Sequence, residues 1–360
     1  MHNGGDMRRI CALAVLLAAG CARRGLPEFP IGLYAVDTPE DARIAREAGF
    51  DALQSYQTGP AALASLARAA RREGMTMLVG PDELISSGAA TRGWPVAAWY
   101  VQDEPDVSGV TPAELAAHEK KIRAWDPGTP TAFVVGIGTA AARYAATGDA
   151  LMVDWYPVPH LPLESVGAQV RDVAAVAGAR PVWAVLQAMN WMDFPQHDPK
   201  KPRIGRFPDR AEIRFMSYDA VINGAQGVWY FTYSTATGCN LSQTPDRLDD
   251  VAVTARELRA LAPVFASGRP IALPFADVPG GPAARAWTYH GRDYVVLAAR
   301  GAGVDVLFPP ELLNPDWRPL FEARRDLREL LREYEGGWYL RQHRVLVLES
   351  RLSPRRLLGL

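Results

Sequence analysis

The chain has 360 residues, with 39 Lys and Arg set against 40 Asp and Glu for a formal net charge of −1 at pH 7. Such a balance leaves no basic footprint for a polyanion, so nucleic acid is not expected as a partner. The length allows one large domain and a smaller one, and no low-complexity tract or short-period repeat interrupts it.

Met7-Arg8-Arg9 precedes an apolar run at 10–19 that is too short to span a bilayer as a stable helix. A basic start, a short apolar core and small residues before a break make a secretory signal. The residues before Met7 include Asp6 and add nothing to such a signal. The run ends in Leu17-Ala18-Ala19-Gly20-Cys21, which resembles the lipobox of bacterial lipoproteins. That resemblance implies a signal peptide at 1–20, cleavage before Cys21 and diacylation of its thiol, followed by a linker at 21–30. The expected partner of this end is therefore a membrane, reached through an N-terminal lipid anchor, and the expected location is the bacterial cell envelope. Ala22, in place of an acid after Cys21, points to the outer membrane if the cell is Gram-negative. With Cys11 lost in the signal and Cys21 lipidated, Cys239 stands alone and no internal disulfide is expected. It sits in a loop with no His at catalytic spacing and reads as structural.

From residue 31 strand-like and helix-like segments alternate. A strand at 31–36 is followed by Thr38-Pro39-Glu40-Asp41, a helix start with Pro at its first position and acids in its first turn. That helix stops at Gly49. A strand at 51–56, an Ala-rich helix to Gly74, a strand at 75–81 and a poor helix at 82–87 come next. The apolar run from Val96 then ends abruptly in Asp103-Glu104-Pro105. Thr111-Pro112-Ala113-Glu114 is a capping box for a helix to about Trp125. A strand at 131–136, a short helix to about 146, a strand at 151–156 and a helix at 163–177 follow. The seventh strand is 181–187. A long segment at 188–207 leads to a helix opened by Phe207-Pro208-Asp209-Arg210 and ending near Gly224. The eighth strand is 227–233 and the last helix 246–261. Eight such units in roughly 230 residues match a TIM (β/α)8 barrel, assigned to 31–266. A doubly wound open sheet would place a glycine-rich phosphate turn after the first strand, but Tyr34-Ala35-Val36-Asp37-Thr38 has no glycine. After Gly268 the texture changes. Strands at 284–290, 294–299, 304–308 and 344–349 predict a small antiparallel β-sandwich over 267–360. The stretch 316–334 stays open, since Leu327, Leu330 and Leu331 have helical spacing.

Barrel active sites lie at the C-terminal ends of the strands. Those ends carry Tyr34, Gln54 and Tyr56, Asp82, Gln102 with Asp103 and Glu104, Asp154 and Tyr156, Gln187 and Trp191, and Phe231 and Tyr233. None is Lys or Arg, and of the 6 His only His160 is near. A phosphate site would want cations or a glycine turn, and a metal site His at ligand spacing. No metal and no cofactor are therefore expected. Acids, amides and aromatic platforms suit a carbohydrate, and paired carboxylates suit general acid/base work.

The span from 31 to about 270 resembles the glycoside hydrolase TIM barrels, especially clan A and its beta-galactosidase-like relatives. The resemblance is carried by Trp99-Tyr100-Val101-Gln102-Asp103-Glu104-Pro105, by Met152-Val153-Asp154-Trp155-Tyr156-Pro157 and by the segment from Glu212 to Tyr233. It implies that Glu104 is the general acid/base of an O-glycosyl hydrolase. The chain departs from clan A twice. Asp103 stands where the clan has Asn, and Gln187 where it has the nucleophilic Glu, so the usual retaining pair is incomplete. Three readings stay open. The Asp-Glu pair also resembles that of family 20 and 123 hexosaminidases, which implies a substrate acetamido group as nucleophile, oriented by Asp103 and bonded by Tyr156. Alternatively Asp154 is the partner carboxylate, or the barrel binds glycan without cutting it. Trp155, Trp183 and Trp229 are expected to face the helices as core. Trp191 is expected as a sugar platform, Arg214 in a structural ion pair, and Lys200-Lys201-Pro202-Arg203 as a solvated loop tip.

Overall fold

The computed structural model describes residues 25–194, 204–234, 240–276, 281–301, 305–322 and 327–350. The signal with Cys21, the loop tip at 200–203 and Cys239 lie outside the described residues. Eight strands pair parallel in chain order: β1 (Ile31–Leu33), β2 (Ala52–Ser55), β3 (Thr76–Val79), β4 (Val96–Asp103), β5 (Thr131–Val135), β6 (Ala150–Trp155), β7 (Val182–Gln187) and β8 (Val228–Phe231). β1 also pairs with β8, which closes the barrel. Around it run α1 (Pro39–Ala48), α2 (Pro60–Glu73), α3 (Asp82–Ser87), α4 (Pro105–Ser108), α5 (Pro112–Trp125), α6 (Ser165–Ala177), α7 (Arg210–Ile222) and α8 (Pro245–Ser267), with a 3-10 segment (Gly138–Tyr144) after β5. The single turn α4 is additional to the elements the sequence predicts. Thr38, Thr111 and Asp209 each complete a reciprocal capping box, which satisfies backbone N–H groups that a helix start otherwise leaves unpaired.

Strand alternation divides the apolar side chains into two layers. Leu53, Val79, Trp99, Phe133, Val153, Leu186 and Tyr230 join the core between strands and helices. Ala52, Leu78, Ala98, Ala132, Ala150, Met152, Trp183 and Trp229 fill the barrel itself. Two of the three tryptophans expected to face the helices therefore face inward. Trp183 and Trp229 lie with ring centroids 5.8 Å apart, while Trp155 does point outward and donates from Nε1 to Ser165 Oγ on α6 at 2.8 Å. A strand buried on both faces shows no polar alternation, so its absolute facing is not written in its sequence. The indoles fit because the facing strands offer alanines, and because Gly32 has no side chain: a Cβ there would sit 1.9 Å from Trp229 Cε3.

The C-terminal strands are β9 (Arg269–Ile271), β10 (Ala283–Tyr289), β11 (Arg292–Ala298), β12 (Val306–Leu307), β13 (Trp317–Pro319), β14 (Arg332–Tyr334), β15 (Gly337–Leu340) and β16 (Val345–Ser350). They form a sheet in the order β13-β16-β11-β10-β9 and a second one in the order β12-β15-β14, antiparallel throughout. The open stretch 316–334 contains β13, one helical turn α9 (Leu327–Leu330) and β14. This domain docks on α7 and α8 through buried charge. Arg214 on α7 bonds Glu257 on α8 at 2.8 Å, Glu322 at 3.3 Å and the carbonyl of Val345 at 2.7 Å. The expected structural ion pair of Arg214 is thus an inter-domain clamp. No helix among the described residues is long and apolar enough to cross a membrane.

Candidate active site

β4 delivers the acids through an irregularity. Its pairing with β5 runs Trp99 with Thr131 and Tyr100 with Ala132, then jumps to Asp103 with Val134. Three residues on β4 thus advance against two on β5, and the extra residue reverses the facing of everything after it. Tyr100 and Asp103 consequently both face inward. Tyr100 donates its hydroxyl to one oxygen of Asp103 at 2.7 Å, and Tyr56 from β2's end donates to the other at 3.2 Å. Gln102 is turned aside and its amide donates to the carbonyl of Asp103 at 3.1 Å.

Glu104 follows with φ 41° and ψ 61°, a left-handed conformation for a residue with a side chain, which costs roughly 1 kcal/mol or more. Its backbone is held on both sides. The N–H donates to Val134 O at 3.1 Å, and the carbonyl accepts from the Val107 and Ser108 N–H groups of α4. Asp106 ties the same turn to the next loop by accepting from the N–H groups of Gly136 and Ile137, both at 3.0 Å. Gly136 lies so close that a Cβ there would meet Glu104 Oε1 at 2.9 Å.

Asp154, near the end of β6, is 7% exposed and its carboxyl shares a hydrogen bond with that of Glu104. The other Asp154 oxygen has no hydrogen-bond partner among the described residues. Two carboxyls in contact cannot both ionise readily. Burial, then the Glu104 charge, pushes the Asp154 carboxyl well above the usual carboxylate range, with Tyr156 opposing as a hydrogen-bond partner. Burial raises Glu104 too, and Asp103 and Asp106 add to this against the bond from Asp154. Both shifts favour a proton retained within the pair, and the larger rise at Asp154 favours that site. Burial also raises Asp103, and its two tyrosine hydroxyls oppose that rise.

These groups line a cavity of about 240 Å³ walled by Tyr34, Tyr56, Tyr156, Trp191, Phe194 and Phe231, with Asp103, Glu104 and Asp154 exposed to it. Tyr156 stacks on Phe231 at 5.3 Å and meets Trp191 edge-on at 5.9 Å. Trp191 is anchored by Nε1 donating to Tyr156 O at 3.2 Å, so the long segment after β7 does contribute an aromatic wall. Phe194 and Met189, which the sequence did not single out, come from that segment too.

Four expected binding residues are spent elsewhere. Gln187 is fully buried; its Oε1 accepts from Val158 N–H at 2.7 Å and its Nε2 donates to Val158 O and Met189 O at 2.8 and 3.2 Å. It braces two loops and does not line the cavity. Gln54 accepts from the N–H of Ala35 at 3.1 Å, which steadies the left-handed turn (φ 57°) after Tyr34. Tyr233 points away toward the start of α1, where burial and Asp41 hold its hydroxyl above its ordinary pKa. Gln102 is placed as described above. Asp82 likewise leaves the centre and pairs with His118 at 2.8 Å. Among the described residues no group of three His, Cys, Asp or Glu has the geometry to hold a metal.

No family model matches the sequence, and no curated protein matches it either. Its fold does have solved counterparts. An alpha-amylase from Geobacillus thermoleovorans superposes with a TM-score of 0.55 at 13% identity, over 91% of this chain and 99% of that one. A glycoside hydrolase family 5 protein from Bacteroides vulgatus gives 0.55 at 12%, over 91% of each chain. A GH30 endoxylanase from Clostridium papyrosolvens gives 0.52 at 10%, over 92% and 98%. The fold of this chain, a TIM barrel followed by a β-domain, is therefore similar to that of these glycoside hydrolases over 91–92% of its length.

Proposed function

We propose that this protein is a glycoside hydrolase that cleaves O-glycosidic bonds of oligo- or polysaccharides, with Glu104 as general acid/base. The observation that carries the reading is the pairing of the Glu104 and Asp154 carboxyls on the floor of an aromatic cavity, where burial favours a retained proton. A leaving glycosidic oxygen needs a proton as its bond breaks. The pair's proton passes through the shared bond to Glu104, nearer the opening, which delivers it and is left ionised.

The contact between these carboxyls bears on the second half of the reaction. A retaining pair stands about 5–5.5 Å apart and an inverting pair about 6.5–9.5 Å, whereas Asp154 touches Glu104. This argues against Asp154 as nucleophile or as base on the opposite face of the sugar, and Gln187 is spent on the loops. The substrate-assisted reading fits what remains. Asp103, braced by Tyr56 and Tyr100, orients the N–H of a 2-acetamido group. The acetamido oxygen attacks the anomeric carbon as the leaving oxygen takes the proton, giving a cyclic oxazolinium ion. Glu104, now ionised, takes a proton from the water that reopens it. The Leu17–Cys21 lipobox-like sequence supports a site of action at the cell envelope, on a lipid anchor at Cys21.

A second reading, glycan binding without cleavage, draws on the same absence of a nucleophile at Gln187. Hydrolysis of matched plain and 2-acetamido glycosides separates the two. Release confined to the 2-acetamido series supports substrate assistance, and release from plain hexosides refutes it. No release from either series, with glycan binding retained, leaves the silent barrel.

A further inference from the structure

Next to the aromatic cavity lies a second one of about 450 Å³, bounded by Glu104, Gly136, Asp154, Trp155, Tyr156, His160, Leu161 and Trp191. The two cavities share Glu104, Asp154, Tyr156 and Trp191, so the proton donor stands at their junction. Their chemistry differs. The first holds Asp103 and the Tyr34 and Tyr56 hydroxyls. Apart from the shared residues, the second offers two apolar or aromatic side chains, one glycine and one histidine. Among the described residues it has no Asn, Gln, Arg or Lys with which to bond a ring of hydroxyls.

The rim continues this character. Val107, Ile137, Leu161 and Met192 are 62%, 49%, 46% and 62% exposed. They sit on the segments after β4, β5, β6 and β7 respectively, four successive loops on the same end of the barrel. Val107 reaches Gly136, where a Cβ would meet its Cγ2 at 2.8 Å, so the rim and the second cavity are continuous. Large apolar side chains clustered around a cavity mouth mark a binding surface far more than the same residues scattered singly.

We infer that the second cavity and this rim form a leaving-group site for an apolar, hydroxyl-poor aglycone, which narrows the proposed substrate to a glycan joined to an apolar group at the scissile bond. The inference rests on the proposed proton-donor role of Glu104. The sugar occupies the cavity with Asp103, the glycosidic oxygen lies against Glu104, and the aglycone lies on Trp155, Leu161 and the rim. A sugar in the second cavity would find only His160 and the shared polar groups for its hydroxyls, and each hydroxyl left unpaired after losing water costs more than its contacts return.

The test uses glycosides of one sugar carrying a phenyl, an octyl or a second sugar as leaving group. Binding to the Glu104→Gln protein is followed by tryptophan fluorescence, and cleavage by the unaltered protein is followed in parallel. The expected result is at least about tenfold tighter binding of phenyl or octyl glycosides than of the disaccharide, within the range a few apolar contacts supply. Leu161→Asp should reduce that preference by about tenfold or more, and its normal thermal unfolding would show that the fold is intact. Equal binding of all three, or a preference that Leu161→Asp leaves in place, overturns the inference. A preference in binding without cleavage of any glycoside would uphold the apolar site and refute the hydrolase reading.

Discussion

Gly136→Ala is a single methyl placed against the proton donor. The added Cβ would stand 2.9 Å from Glu104 Oε1, 3.3 Å from its Cδ and 2.8 Å from Val107 Cγ2. Ordinary contact begins near 3.4 Å, so the Glu104 carboxyl must retreat by about 0.5 Å to accommodate it. Gly136 cannot move instead, because Asp106 holds its N–H at 3.0 Å. A misplacement of about 1 Å at a reacting group costs about a hundredfold in rate, so half that distance predicts about a tenfold loss of kcat. Binding of the sugar should change little, because the walls around Asp103 are untouched. Stability should change by about 1 kcal/mol at most, since the methyl meets an exposed valine and one end of a side chain. The assay is kcat and KM on a glycoside with a poor leaving group, with thermal unfolding measured beside it. Full kcat in the folded variant would refute the placement of Glu104 as the group that acts on the glycosidic oxygen.

Asp154→Asn removes the carboxyl that retains the proton of the pair, so the alkaline limb of the pH–rate profile should move to lower pH; an unmoved limb would separate Asp154 from the titration. The folded Asp154 binds its proton more tightly than the unfolded chain does, so it lowers stability as pH rises past the ordinary carboxylate range toward its raised value. The same variant should therefore gain Tm at pH 7 and gain little at pH 4. Gln187→Glu should not create a nucleophile. It removes two donated bonds and puts a carboxylate against the Val158 and Met189 carbonyls, at a cost of about 3–5 kcal/mol, measured by urea unfolding; enhanced hydrolysis would contradict the bracing role. Trp191→Ala should weaken glycan binding by about three- to tenfold, the scale of one aromatic contact, and unaltered affinity by titration would remove it from the site.

The sequence carried the barrel because its signals were local and repeated. Capping boxes at Thr38 and Thr111 and strands ended by acids or amides recur at the spacing of β/α units, and the break after Gly268 marked the second domain. The acids were legible for the same reason: an apolar strand ending in Asp103-Glu104 needs explanation. The failures came from long-range geometry. Nothing in the β4 sequence announces the irregularity that turns Asp103 into the cavity and Gln102 out of it. Gln54 and Gln187 read as sugar-binding amides at strand ends, but an amide there is equally suited to backbone N–H and carbonyl groups of a neighbouring loop. Trp183 and Trp229 face inward because Gly32 and four alanines on other strands leave room, a volume that no single strand encodes. The contact of Asp154 with Glu104 joins β6 to β4 across the barrel and has no signal in either segment. Asp106 and Gly136, which seat Glu104, were visible as residues but not as partners.

A leaving-group series on wild type and Glu104→Gln addresses the proton donor itself. Hydrolysis of a dinitrophenyl glycoside needs no proton on the departing oxygen, whereas an alkyl glycoside does. Glu104→Gln should retain most of the bond-breaking rate on the first and lose about 10²–10⁴-fold on the second. Equal losses on both substrates, or no loss on the alkyl glycoside, would contradict Glu104 as the general acid.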